Sequence, residues 1–110
     1  MKNILALGGL ALASAALAQT CPVILTGTAK LADAHHVAYS VTVTNPSARP
    51  VAYNARIDFF LKGTKIPGGF ENIVVNLPAK GKKTITGSEP FVEKLTGVDQ
   101  VKATRIRSCK

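Results

Sequence analysis

Apolar and polar residues alternate along two neighbouring runs of the chain. In the first run Val37, Tyr39, Val41 and Val43 fall on one face, and Ala38, Ser40, Thr42 and Thr44 on the other. In the second, Val51, Tyr53, Ala55, Ile57, Phe59 and Leu61 are opposed by Asn54, Arg56, Asp58 and Lys62. A period of two in β-branched and aromatic residues marks half-buried strands, because successive side chains point to opposite faces of a sheet. With the turn-forming stretch Asn45-Pro46-Ser47-Ala48-Arg49-Pro50 between them, the two runs read as a β-hairpin about which the rest of the chain is organised.

Further strands are expected over 23–31, 71–77, 82–88 and 100–108. Gly27 in the first marks a bulge or a close approach. Lys62-Gly63-Thr64-Lys65, Pro67-Gly68-Gly69 and Pro78-Ala79-Lys80-Gly81 read as turns, since Pro presets φ and Gly accepts positive φ. The stretch Phe91 to Gly97 is either a short helical turn or an irregular connection. In the last strand Ile106 falls out of phase with Val101 and Ala103, the sign of a bulge or of two partly covered faces. Short strands with turn signals about every ten residues predict an all-β, immunoglobulin-like or fibronectin-III-like antiparallel sandwich of about six to seven strands.

The N-terminus changes where this domain is expected to reside. Residues 1–18 combine Lys2, an apolar run from Ile4 to Leu17 and the small-residue triplet Ala16-Leu17-Ala18, the pattern of a cleaved secretory signal peptide. The run of about 14 residues is shorter than the ~20 that span a bilayer. Lipid attachment at Cys21 fits less well, because Gln19 and Thr20 are not the small residues that precede a lipidated cysteine. Cleavage leaves 19–110 as a single domain of 92 residues, secreted or periplasmic. Aromatic residues make up 5% of the full chain and tryptophan is absent, so the core is thin and a covalent staple helps. Cys21 and Cys109, the only cysteines, lie far apart in sequence and lack the close spacing of a metal pair or redox dithiol, which favours a structural disulfide. An even number of antiparallel strand passes brings the two to the same end, in agreement with six strands.

Three segments carry a resemblance: Val41-Thr42-Val43-Thr44-Asn45-Pro46-Ser47, Ile57-Asp58-Phe59-Phe60-Leu61-Lys62-Gly63 and Asn76-Leu77-Pro78-Ala79-Lys80-Gly81. Their succession of strand, Asn-containing turn, long strand and Leu-Pro turn resembles the small bacterial FxLyD-type β-sandwiches and is similar to type-2 late-embryogenesis-abundant domains. The resemblance implies an immunoglobulin-like sandwich without a shared active site.

Fourteen basic residues against six acidic ones give a formal charge of +8, or +7 once Lys2 is removed with the signal. Lys80, Lys82, Lys83, Lys102, Arg105 and Arg107 concentrate the excess toward the C-terminal strands, where Arg105 and Arg107 share a face of an extended strand. Such residues either shield a sheet edge from pairing or contact an envelope protein, an anionic polymer or a lipid surface. Aromatic interleaving for base stacking is missing, so sequence-specific nucleic-acid binding is not expected.

No catalytic or cofactor motif stands out. Thr86-Gly87-Ser88-Glu89-Pro90 lacks the second glycine of a nucleophile elbow, and Pro67-Gly68-Gly69 lacks the Lys-Ser/Thr of a phosphate loop. Glu71 or Glu89 is left free to meet a second carboxylate in space. His35 and His36, adjacent on an extended segment, point to opposite sides and seldom share one metal without further ligands. The expectation is a non-catalytic binding or structural module of the cell envelope with no cofactor; the alternative is a small secreted enzyme or metal-handling protein using His35 or His36. The intact mass of the exported protein is expected to match a chain starting at Gln19 with two hydrogens fewer than its reduced form. A retained N-terminus, an acyl mass on Cys21 or two free thiols would contradict it.

Overall fold

Six strands carry the alternation: β1 (Ile24–Asp33), β2 (His36–Thr44), β3 (Val51–Leu61), β4 (Thr64–Leu77), β5 (Lys82–Pro90) and β6 (Gln100–Cys109). The computed structural model describes residues 20–110, among which there is no helix; residues 1–18, expected to be a signal peptide, lie outside the described residues. The strands form two antiparallel three-stranded sheets, ordered β1-β2-β5 and β4-β3-β6. These orders correspond to A-B-E and C′-C-F of the immunoglobulin sandwich.

The stretch from Val37 to Leu61 is not a hairpin. β2 and β3 lie at the centres of different sheets, and residues 45–50 carry the chain from one to the other. The physical reason lies in the apolar faces themselves. Paired edge to edge, two strands with one apolar face each would still need a second layer; placed face to face, each becomes the other's cover. Val37, Val41, Val43, Ala55, Ile57 and Phe59 are fully buried in this way, with Tyr39 and Tyr53 beside them.

Asn45 sets the crossing. Its side chain is fully buried, donating from Nδ2 to the Arg49 and Pro78 carbonyls at 2.8 and 3.0 Å. Its Oδ1 accepts from the Ser47 amide at 3.1 Å and the Ser47 hydroxyl at 2.7 Å. Both donors and both acceptor positions of the amide are thus used.

The true hairpins are β1–β2, through Ala34-His35, and β3–β4, through Lys62-Gly63. Lys62 and Gly63 both have positive φ (51° and 83°), the conformation of a two-residue primed turn, whose twist matches that of its strands. Pro67-Gly68-Gly69, expected as a turn, instead lies inside β4 as a bulge: Asp58 is in register with Phe70 but Phe60 with Lys65. Phe91 explains the bulge, since a Cβ on Gly69 would lie 2.5 Å from its ring. Residues 91–99 are an irregular connection, as one of the two expected readings had it. Phe91 and Leu95 turn inward there, and Phe91 meets the edge of Phe59 with ring centroids 6.1 Å apart.

β6 carries two register shifts against β3, one on each side of the Ala55–Ile106 and Arg56–Arg105 pairs, which leave Arg107 and Thr104 as extra residues. Those bulges account for the phase slip at Ile106. Cys21 and Cys109 form the disulfide, with Cα atoms 5.7 Å apart, joining the lead-in to β1 to the end of β6. Such a bond forms and persists in an oxidising environment.

The register makes a sharp prediction. Val41→Asp places an unpaired charge between the sheets and should cost about 3 kcal/mol or more. Thr42→Asp, one residue along and on the outer face, should lower stability by about 1 kcal/mol or less, chiefly through loss of its hydroxyl contact with Thr84. Equal melting temperatures for the two variants would mean that β2 is assigned to the wrong face.

Candidate functional site

The outer face of the β4-β3-β6 sheet gathers most of the unusual chemistry. Along β3 the outward residues are Asn54, Arg56, Asp58 and Phe60. The register sets Asn72 and Arg105 beside Arg56, Phe70 and Lys102 beside Asp58, and Lys65 and Gln100 beside Phe60. Arg107 joins this face through its bulge, donating from Nε to Asn72 Oδ1 at 3.1 Å. Among the described residues, five cationic side chains, Arg56, Lys65, Lys102, Arg105 and Arg107, therefore share this sheet's outer face with one carboxylate of the same sheet, Asp58.

Asp58 is only 2% exposed, and it is held by three hydrogen bonds. Arg56 donates from Nε at 3.0 Å and from Nη2 at 3.1 Å, and Thr104 Oγ1 donates at 2.5 Å. The Thr104 hydroxyl reaches Asp58 from one of the β6 bulges. Burial pushes the Asp58 carboxyl up, but the bonds from Arg56 and Thr104 and the charges of Arg56 and Lys65 outweigh it and hold it below its ordinary value. Arg56 also covers the half-exposed Phe70 ring at 4.0 Å, and Lys102 covers Phe60 at 4.3 Å.

Two depressions flank the Arg56–Asp58 pair. One, of about 250 Å³, is lined by Arg56, Asp58, Lys65, Thr104 and Arg105. The larger, of about 440 Å³, runs from Arg56 and Lys65 over Ile66 and the glycines of the bulge to Phe70 and Glu89. Glu89 comes from β5, across the seam between the sheets, where its carboxyl faces Glu71 and the Phe70 amide of β4. Burial, then the hydrogen bond and charge of Glu71, push Glu89 from its ordinary 4.5 up to about 7. The Tyr39 hydroxyl lies near both carboxyls and is itself pushed up, by burial and then by their charges.

The basic residues singled out in the sequence are divided between the two sheets. Lys102, Arg105 and Arg107 lie on the face just described. Lys82 and Lys83 open β5 in the other sheet, in register with Thr44 and Val43. Lys80 sits in the β4–β5 connection with φ of 60° and donates from Nζ to the Pro46 carbonyl at 2.7 Å, a tie between the two crossings. Arg56 and Lys65 were missed because they lie outside the C-terminal basic stretch, Arg56 among the alternating apolar residues of β3 and Lys65 in a segment read as a turn. Strand parity, which places Arg56 opposite the apolar face of β3, was the available signal. Of the histidines, His36 donates from Nδ1 to Asp33 at 2.8 Å, and His35 Nδ1 lies 3.3 Å from the Phe91 carbonyl. The His35 amide, then the His36 ring, hold the Asp33 carboxyl below its ordinary value. Neither histidine lines the two depressions.

No protein-family model, curated protein or solved structure matches the chain.

The carboxyl pair predicts how stability varies with pH. Because the folded protein retains a proton on Glu89 that the unfolded chain releases, stability should fall as pH rises from about 4.5 to about 7 and level off above. Thermal melts across that window should show the decline, and Glu89→Gln should flatten it. A melting temperature that rises with pH in both proteins would mean that Glu71 and Glu89 do not share a proton.

Proposed function

We propose that this chain is a non-catalytic, secreted or periplasmic binding module of the cell envelope that docks an anionic polymer on the outer face of its β4-β3-β6 sheet. One observation carries the reading: three strands bring five cations onto one face, where, among the described residues of that sheet's outer face, Asp58 alone opposes them and Glu89 reaches the edge from β5. Asp58 forms its close ion pair with Arg56, which leaves Lys65, Lys102, Arg105 and Arg107 available to a partner. Their placement on β4 and β6, the two strands that flank β3, suits an extended polyanion touched at many points. Complementary charge of this kind accelerates encounter and orients the partner. The disulfide and the signal-peptide pattern support the compartment, and the resemblance to FxLyD-type and late-embryogenesis-abundant sandwiches agrees with a module lacking a catalytic centre.

Binding of polygalacturonate and of polyphosphate should weaken steeply as added salt shortens the Debye length from ~10 Å at 0.1 M to ~3 Å at 1 M. Replacing Arg105 and Arg107 by Glu should lower affinity roughly tenfold at low salt and leave the melting temperature nearly unchanged. Lys82→Glu with Lys83→Glu, on the opposite sheet, should have little effect. Equal losses from the two double variants would indicate general attraction to the net charge, and unfolding of the β6 variant would show that its arginines are structural. Binding to phosphatidylglycerol vesicles with none to either polymer would replace the polymer by a lipid surface as partner.

A further inference from the structure

A flat row of cations suffices for electrostatic docking, yet this face also holds a groove with distinct chemical walls. Ile66, Phe70 and the backbone of 67–69 form an apolar side, Lys65 and Arg56 a cationic side, and Glu89 closes the end from the other sheet. Arg56 engages Asp58 through Nε and Nη2 and keeps its other N–H groups, and the Lys65 ammonium has no hydrogen-bond partner among the described residues. Two cations against Asp58 leave the lining with one net positive charge when Glu89 holds its proton and none when it is ionised.

We propose that this groove is an acid-favoured subsite for a single oxyanion, a carboxylate or phosphate, of the docked polymer, with Lys65 and Arg56 as its donors and Phe70 beneath the residue that carries it. The proposal rests on the docking function above and assigns a specific pocket within it. The bulge in β4 opens the groove, and the seam places a titrating carboxyl at its end. Glu89 is faced by Glu71 and the Phe70 amide of β4, by the Tyr39 hydroxyl of β2, and across the groove by Arg56, Asp58 and Lys65. His36, in register with Pro90, and His35, beside Phe91, stand at the same end of the domain. Protonation of Glu89 removes the negative charge that would repel an entering anion; protonation of the histidines is the competing source of any acid effect.

Equilibrium titrations with polygalacturonate and with polyphosphate, whose charges are nearly constant over the range, at about pH 5.5 and about pH 8 and fixed low salt, test the proposal. Wild-type protein should bind about threefold tighter at the acid pH, the effect of one unit charge ~7 Å away in a water-like medium. Glu89→Gln should bind at the higher pH as tightly as wild type does at the lower. Lys65→Gln should weaken binding at the acid pH, and a His35→Gln/His36→Gln variant should keep the pH ratio. Melting temperatures check that each variant is folded. A pH ratio seen with one polymer assigns the oxyanion, and a ratio seen with both shows that the groove takes either. The groove is overturned if Glu89→Gln retains the pH ratio, if the histidine variant abolishes it, or if wild type binds equally at both pH values while the Arg105/Arg107 reversal still weakens binding. Absence of binding at both pH values removes the docking function, and the subsite with it.

Discussion

The buried amide of Asn45 is the constraint on which the two-sheet arrangement depends. It lies where the chain leaves one sheet for the other, and every hydrogen-bonding position of its side chain is used within the two inter-sheet connections. The Asn45 backbone N–H donates to the Gly81 carbonyl at 2.8 Å, and the Lys80 backbone N–H to the Ser47 carbonyl at 3.0 Å, so the β2–β3 and β4–β5 crossings are fastened to each other. A buried side-chain amide without partners would cost about 1–3 kcal/mol per orphaned group. Fully satisfied, it favours this path of the chain over alternatives that would strand those groups.

Because the crossings are fixed, the two apolar strand faces meet and the outer faces are left for other chemistry. On the β4-β3-β6 side that chemistry includes a buried carboxylate, which would be costly alone and is tolerable because Arg56 and Thr104 complete its hydrogen bonds. Thr104 reaches Asp58 from a bulge in β6, and the larger groove exists because β4 bulges at Pro67-Gly68-Gly69 to pass Phe91. Both irregularities thus have identifiable consequences for this face. The bulges and cations of β6 also discourage another chain from pairing along that edge, so edge protection and ligand contact are compatible uses of the same side chains.

Strand content and the inward faces of β2 and β3 were legible from alternation alone, since a period of two has only one structural meaning over such lengths. Lys62-Gly63 showed itself through glycine's tolerance of positive φ, and Ile106 announced the irregularity of β6 by breaking phase. Pairing partners were less legible. An Asn-Pro-containing connection serves a hairpin or an inter-sheet arch equally well, and Pro67-Gly68-Gly69 has the same composition whether it reverses the chain or bulges a strand.

The sequence by itself determined the all-β class, the core-facing side of the central strands and the two cysteines available for a staple, because these follow from local periodicity and residue chemistry. Only the tertiary structure decided that β2 and β3 face each other, that Arg56 and Lys65 join Lys102, Arg105 and Arg107 while Lys82 and Lys83 do not, and that Glu71 meets Glu89. Those outcomes depend on which strands are neighbours across a sheet or a seam. Neighbourhood of that kind is set by how apolar faces and buried polar groups are jointly satisfied over the whole domain, and no short stretch of sequence carries it.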